Sequence, residues 1–206
     1  MYARTTTFKG TPGRPIAGRD HLRAEVLPLL VQDEGCAGLS MLVDEESGQC
    51  IVASSWTSEA ALAASDEVLG DSGGRTAGII GGTPEVAVWD VAVMHRVRPA
   101  PTGSCCRVTW MRLDRGDFDR GIEIYRAEVL PEVELLDGFC SASLLVNRAR
   151  GRACSTATYD SRAALDASRD RSWTIRDAGV QESGVEVVDV GEYDLVLAHL
   201  RLPELT

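Results

Sequence analysis

Positive charge and long apolar runs are what this 206-residue chain has least of. It carries 21 basic residues against 31 acidic ones, a formal net charge of −10. Lys9 is its one lysine, so arginine supplies the other 20 basic residues. A nucleic-acid binder needs a basic footprint, and this chain should repel phosphate and anionic membrane surfaces alike. Nothing approaches the ~18 consecutive apolar residues of a membrane-spanning helix. The opening MYARTTTFKG lacks the apolar core of a secretory signal, so a cytoplasmic location is expected. No CxxC pair occurs among the six cysteines, and a disulfide framework or a metal cluster is not expected from them. They read as reduced, buried, small apolar residues. Vicinal Cys105 and Cys106 would point to opposite faces of a strand and make a poor chelate.

What is present is an ordinary globular composition, 44% hydrophobic and 25% charged, and a repeat. The hexapeptide RAEVLP occurs at Arg23–Pro28 and again at Arg126–Pro131. A shift of 103 aligns residues 23–67 with 126–170 without a gap, with 17 identities in 45 pairs. Gly35 falls on Gly138, Leu42-Val43 on Leu145-Val146, Gly48 on Gly151, and Trp56 on Tyr159. At a shift of 104, WDVAVMH (Trp89–His95) falls on YDLVLAH (Tyr193–His199). The chain is therefore a duplicated domain, residues 1–99 and 104–206, joined at Val97–Ser104, where Pro, Gly and Ser suit an exposed linker.

Each half has the same order of elements. A Thr- and Val-rich strand (Tyr2–Lys9, Cys105–Leu113) is followed by a helix. Phe118, Ile122, Tyr125, Val129 and Val133 give that helix its apolar stripe in the second copy. A hairpin follows, then a second helix opened by Ser58 or Ser161 as cap, then a last strand (Pro84–Arg96, Val185–Arg201). Pro28 and Pro131 should kink or stop the first helix, since proline lacks an N–H and clashes with the preceding turn. The segment GIIGG (Gly78–Gly82) follows no strand, fails the dinucleotide test and reads as a flexible connection. The order βαββαβ is ferredoxin-like. Strand four is apolar on both faces: Val86, Val88, Ala92 and Met94 alternate with Trp89, Val91 and Val93. Both faces should then be covered, most simply by the second copy packing face to face.

The pattern AEVLP…EG…LLVD…G…SSW-x-S-x-x-AL-x-AS resembles the antibiotic-biosynthesis-monooxygenase type of domain, in the dimeric α/β-barrel superfamily. The resemblance covers most of both halves. It implies an α+β protein, two tandem ferredoxin-like repeats forming an intramolecular version of a dimeric α/β barrel. It also implies a pocket between each sheet and its helices. Some members of the family oxidise flat aromatic molecules with O₂ and no cofactor; others bind and degrade haem. An Asn near strand one commonly positions the reacting oxygen species, but Asn147 lies in a hairpin turn. The haem-degrading members carry a second helix-two Trp and a His after it. Ser65 and Ser168 stand at the Trp position, and Gly74 and Asp177 at the His position.

Several residues could carry chemistry. Trp56 and Tyr159 could stack a flat substrate or close one end of the core, and the core reading is favoured. Trp89 and Tyr193 read as core. Trp110 and Trp173 have no aromatic counterpart in the first half, as a pocket kept in one half and lost in the other would leave. Arg4 and Arg107 could bind an anionic oxygen or pair with Asp90 and Asp194 on the neighbouring strand, and the ion pair is favoured. His95 and His199 are expected to bond backbone at a strand end. His21 is expected to be a solvated helix residue. The hairpin turns DEESG and NRARG differ in sign, which suits solvated turns or association between chains with unlike turns meeting. The reading that follows is a monooxygenase-like protein acting on or binding a small hydrophobic or aromatic molecule without a tightly bound cofactor. The alternative is a non-catalytic binding or structural barrel protein. Trp56, Tyr159, Arg4, Arg107 and Trp110 are the candidate site residues.

Overall fold

The computed structural model describes residues 1–69, 71–113 and 118–201. The expected end of the second repeat, at 206, lies outside them. The first repeat contains β1 (Tyr2–Lys9), α1 (Arg14–His21), a π-helical turn (Leu22–Val26) and α2 (Leu27–Gln32). It continues with β2 (Cys36–Val43), β3 (Gln49–Trp56), α3 (Glu59–Leu69), α4 (Ser72–Ile80) and β4 (Pro84–Arg96). The second contains β5 (Cys105–Arg112), α5 (Phe118–Ile124), a π-helical turn (Tyr125–Val129) and α6 (Leu130–Glu134). Then come β6 (Phe139–Asn147), a 3₁₀ turn (Arg148–Arg150), β7 (Arg152–Tyr159), α7 (Arg162–Ala167), α8 (Arg169–Ser183) and β8 (Glu186–Leu200).

The strands hydrogen-bond in the cyclic order β1-β3-β2-β8-β5-β7-β6-β4, a closed antiparallel barrel of two ferredoxin-like units. The chain divides into two compact units whose boundaries fall inside β4, after Trp89, and inside β8, after Asp194. Unit 1 comprises residues 1–89 with the end of β8 from Leu195, and unit 2 comprises residues 90–194. Each unit therefore holds the start of its own last strand and the end of the other repeat's. In unit 2 the end of β4 runs beside β6, from Asp90 opposite Val146 to Arg96 opposite Ser141. The start of β8 runs beside β5, from Glu186 opposite Arg112 to Asp194 opposite Cys105. In unit 1, Tyr2–Lys9 pair with Trp56–Gln49, and Arg201 N–H donates to the Ala37 carbonyl.

Local chemistry accounts for the elements. Ser58 Oγ accepts from Ala61 N–H at 3.1 Å, and Ser161 Oγ from Ala164 N–H at 3.2 Å, so both second helices open on a serine cap. Neither helix stops at its RAEVLP proline. Instead the backbone widens one turn earlier: Leu27 N–H bonds back to the Leu22 carbonyl, and Leu130 N–H to the Tyr125 carbonyl. This π turn restarts the helix so that Pro28 and Pro131 fall in the first turn of α2 and α6. A missing N–H costs least there. The expected break is thus a widened turn, the same in both copies.

The GIIGG segment also departs from expectation. Gly78–Ile80 end α4, with Ile80 fully buried, and the chain turns only at Gly81 and Gly82, with φ of 81° and 79°. Only glycine takes that backbone without strain. Unit 1 is built on Phe8, Leu22, Leu30, Met41, Trp56 and Ile80. Unit 2 is built on Val93, Phe118, Leu130, Phe139, Leu144 and Val146. Each such side chain contributes roughly 1.5–3 kcal/mol by leaving water. All six cysteines are unbridged and buried. Burial pushes the thiols of Cys50, Cys106 and Cys154 up to about 12.

Strand four is not covered on both faces along its whole length. Val91 and Val93 are buried, and a register shift between them turns the strand. Val86 and Val88 are 50% and 40% exposed. They line a cavity, which is why an apolar alternation did not mean burial.

Candidate functional site

Each unit has a cavity between its sheet and its helices, at equivalent positions. In unit 1 it has a volume of about 630 Å³, and its wall includes Arg4, Thr6, Leu22, Ser54, Gly73 and Val88. In unit 2 it is about 110 Å³, and its wall includes Arg107, Thr109, Tyr125, Tyr159, Ile175 and Arg176. Small-molecule sites commonly have about 300–1,000 Å³, so only the first is roomy enough for a tricyclic aromatic body.

The two walls exchange side chains of different volume. At the repeat shift, Leu22 of unit 1 becomes Tyr125, Ser72 becomes Ile175, Gly73 becomes Arg176 and Ala77 becomes Val180, all of them lining residues. Elsewhere in the walls the trend reverses, with Leu69 against Ser172, Thr76 against Gly179 and Val52 against Ser155. A Cβ added at Gly73 or Gly74 would meet no atom within 4 Å. Trp173 also enters the second wall, half-exposed, with the Arg176 guanidinium 6.0 Å from its ring centre.

The polar end of each cavity is built on the same frame. Arg4, on β1, donates from Nη1 to Ser65 Oγ at 3.1 Å and from Nη2 to the Leu62 carbonyl at 3.3 Å. Arg107, on β5, donates from Nη1 to Ser168 Oγ at 3.0 Å and from Nη2 to the Leu165 carbonyl at 2.9 Å. Each serine in turn donates to that leucine carbonyl, at 2.6 Å and 2.7 Å. These serines are the residues that stand at the tryptophan position of the haem-degrading pattern.

The counter-charges differ. Arg107 also donates from Nε and Nη2 to Glu192 Oε1, at 3.1 and 2.8 Å. Arg169 holds the other oxygen, Glu192 Oε2, at 2.8 Å and bridges to Asp166. Burial disfavours the Glu192 charge, but the hydrogen bonds from Arg169 and Arg107 outweigh it and hold the carboxyl below its ordinary 4.5. In unit 1 the position of Glu192 is Val88 and that of Arg169 is Asp66. Arg4 pairs with Asp66 at 2.7 Å, and that aspartate is 74% exposed.

The expected partners of the two arginines are therefore corrected. Among the described residues, the acids beside them are Asp66 and Glu192, not Asp90 and Asp194. Asp194 is held by Arg162 at 2.6 Å and accepts from Cys105 Sγ at 3.2 Å. Among the other candidates, Tyr159 is in the second cavity's wall, its hydroxyl 3.2 Å from Ser172 Oγ and its ring 5.8 Å from the Arg107 guanidinium. Trp56 is fully buried and is not part of the first cavity's wall, though it donates Nε1–H to the lining residue Ser54, at Oγ, at 3.0 Å. Trp110 is not brought to the site. It alternates with the lining residues Thr109 and Met111 and stands edge-on to Tyr193 at 6.2 Å.

The reading of His21 as a solvated residue is also corrected. His21 is buried with its Nε2 unpartnered, and its Nδ1 lies 3.4 Å from Glu25. His95 contacts a carboxylate, Glu134, at 3.1 Å. His199 Nε2 is buried without a partner.

Serine pairing, the Val88/Glu192 exchange and the two glycines were missed as site features. Their signal lay in the repeat alignment, where Ser65 and Ser168 are identical while their neighbours Asp66 and Arg169 reverse in sign. Chemically, the first cavity can hold an apolar body and orient one polar oxygen. Its hydroxyls come from Thr6, Ser54, Ser72 and Thr76, and its charged groups are Arg4 and Asp66.

No family model matches the chain. It is 45% identical over 205 residues to the uncharacterised Mycobacterium tuberculosis protein Rv2557, covering 100% of this chain and 92% of the other. Solved structures share the fold at low identity. A provisionally assigned monooxygenase of Lactobacillus acidophilus superposes with a TM-score of 0.72 at 10% identity, covering 97% of this chain and 96% of that one. An anthrone oxidase-like protein superposes with a TM-score of 0.67 at 15% identity, covering 99% and 94%.

Proposed function

The chain belongs to the family of the Mycobacterium tuberculosis protein Rv2557, and we propose that it binds a small hydrophobic, aromatic molecule in the cavity of its first unit. One observation carries this reading. Unit 1 keeps an apolar space of about 630 Å³ with an arginine at its polar end, where unit 2 keeps about 110 Å³. The reading needs no tightly bound cofactor. Oxygenation of the bound molecule is the second reading, favoured by the likeness to a provisionally assigned monooxygenase and to an anthrone oxidase-like protein.

Titration with anthracene derivatives, followed by their fluorescence, tests the first reading. The expected outcome is saturable binding with one ligand per chain. Two equal sites, or none, would remove it. Oxygen uptake on adding anthrone, measured with an electrode, separates the second reading from simple binding.

A further inference from the structure

We infer that the ligand of the first cavity carries an oxyanion and that Arg4 receives it, because Val88 stands where the second unit places a carboxylate. This inference rests on the binding reading above and names the ligand class for the same cavity.

Both units anchor their arginine in the same way, through a serine hydroxyl and a leucine carbonyl. What differs is the edge left over. Arg107 spends its Nε and one Nη2 hydrogen on Glu192, and its side chain is 6% exposed. A guanidinium has five N–H donors in a fixed planar fork, matched to a carboxylate. In unit 1 the corresponding side chain is a valine's hydrocarbon, which carries no acceptor atom, and it lines the same cavity as Arg4. Glu192 therefore marks, in unit 2, the place where an external carboxylate, phenolate or enolate would sit in unit 1.

The acid that remains near Arg4 does not fill that place. Asp66 contacts Nη1, on the other side of the fork, and its side chain is 74% exposed. Water screens such a pair, which is worth at most about 1 kcal/mol. The ligand's body would lie over Leu22, Val26 and Val52, with Thr6 and Ser54 offering hydroxyls from the strands.

The test uses the full chain and two probes of one shape, anthracene carboxylate and the neutral anthracene carboxamide, titrated by fluorescence near neutral pH. The carboxylate should bind about tenfold more tightly or better, the usual return on a charge-assisted hydrogen-bonded pair. Val88→Glu should erase that preference by supplying the missing carboxylate, so that the two probes bind with similar affinity. Asp66→Asn should tighten carboxylate binding a few-fold by removing the rim acid. Arg4→Met should weaken carboxylate binding more than carboxamide binding and bring the two affinities together.

Equal binding of the two probes, or a preference that survives Val88→Glu, overturns the inference while the cavity reading stands. Failure of both probes to bind overturns both. Val88 is 40% exposed, so glutamate has room to fold there. Circular dichroism and a cooperative urea unfolding transition check that it does, and Arg4→Met carries the same comparison independently.

Discussion

The two units hold an arginine, a serine and a leucine carbonyl in one shared frame, and then use opposite means to neutralise the charge. Unit 2 buries the arginine in a closed network with Glu192, Arg169 and Asp166 and fills the space above it with Tyr125, Ile175 and Arg176. Unit 1 leaves its acid, Asp66, at the rim and lines the space with Leu22, Ser72 and Gly73. Duplication within one chain permits this division: one copy can satisfy its polar groups internally and supply stability, while the other keeps a space open. The same arginine is a structural ion pair in one place and a candidate ligand contact in the other because of its neighbours, not because of its own position.

The largest expected effect tests that division through stability. Glu192→Gln removes the carboxylate from a buried arginine and should cost about 3 kcal/mol, since an uncompensated buried charge is expensive. Asp66→Asn, the matching change in unit 1, should cost less than about 1 kcal/mol because that pair is exposed. Urea unfolding of both variants measures the contrast, and equal losses would break it.

The pH dependence has a definite sign. Glu192 has a lowered native carboxyl pKa, so its contribution is present above its unfolded value of about 4.5 and is lost as pH falls through the lower native value. The wild-type chain should lose stability over that acidic window, and the gap between it and Glu192→Gln should close. A gap that stays constant down to pH 3 would assign the cost of the substitution to packing instead.

A smaller effect is expected from filling the first cavity. Gly73→Phe places a large side chain into space where a Cβ meets nothing, so it should weaken anthracene binding about tenfold or more by occupying the ligand's volume. Stability should hold or rise slightly, because glycine inside a helix costs about 1 kcal/mol relative to alanine. Unchanged binding would show that the ligand lies elsewhere.

Much of the fold was legible because its signals are local. The Thr-rich first strand, the serine caps and the hairpin glycines each act within a few residues, and the repeat doubled every signal. The cavities were not legible. Their size depends on which residues of α4 and α8 reach the sheet. The role of Val88 depends on its place opposite β1, and an exposed valine has the same letter as a buried one. His21 was misjudged for a similar reason. Its helix is covered by α4, which approaches so closely that a Cβ on Gly18 would stand 2.4 Å from Ile80 Cγ1. No pattern within α1 records that neighbour. The charge exchange between Asp66 and Arg169 was visible, but its meaning needed the distances to Arg4 and Glu192.

At the RAEVLP prolines the two units should be indistinguishable, and here the comparison can be broken from the other side. In both, the π turn is closed by the same backbone bond and the proline occupies the first turn of the next helix. Proline at that position loses no helical bond, and its fixed φ restrains the unfolded chain. Pro28→Ala and Pro131→Ala should therefore each be slightly destabilising, by amounts that agree within about 0.5 kcal/mol, and should add in the double variant as independent sites do. If one substitution stabilised the chain, the widened turn would be under strain in that unit alone. A turn strained only in unit 1 would tie it to the open cavity, because Leu22 and Val26 bound that turn and also line the space above Arg4.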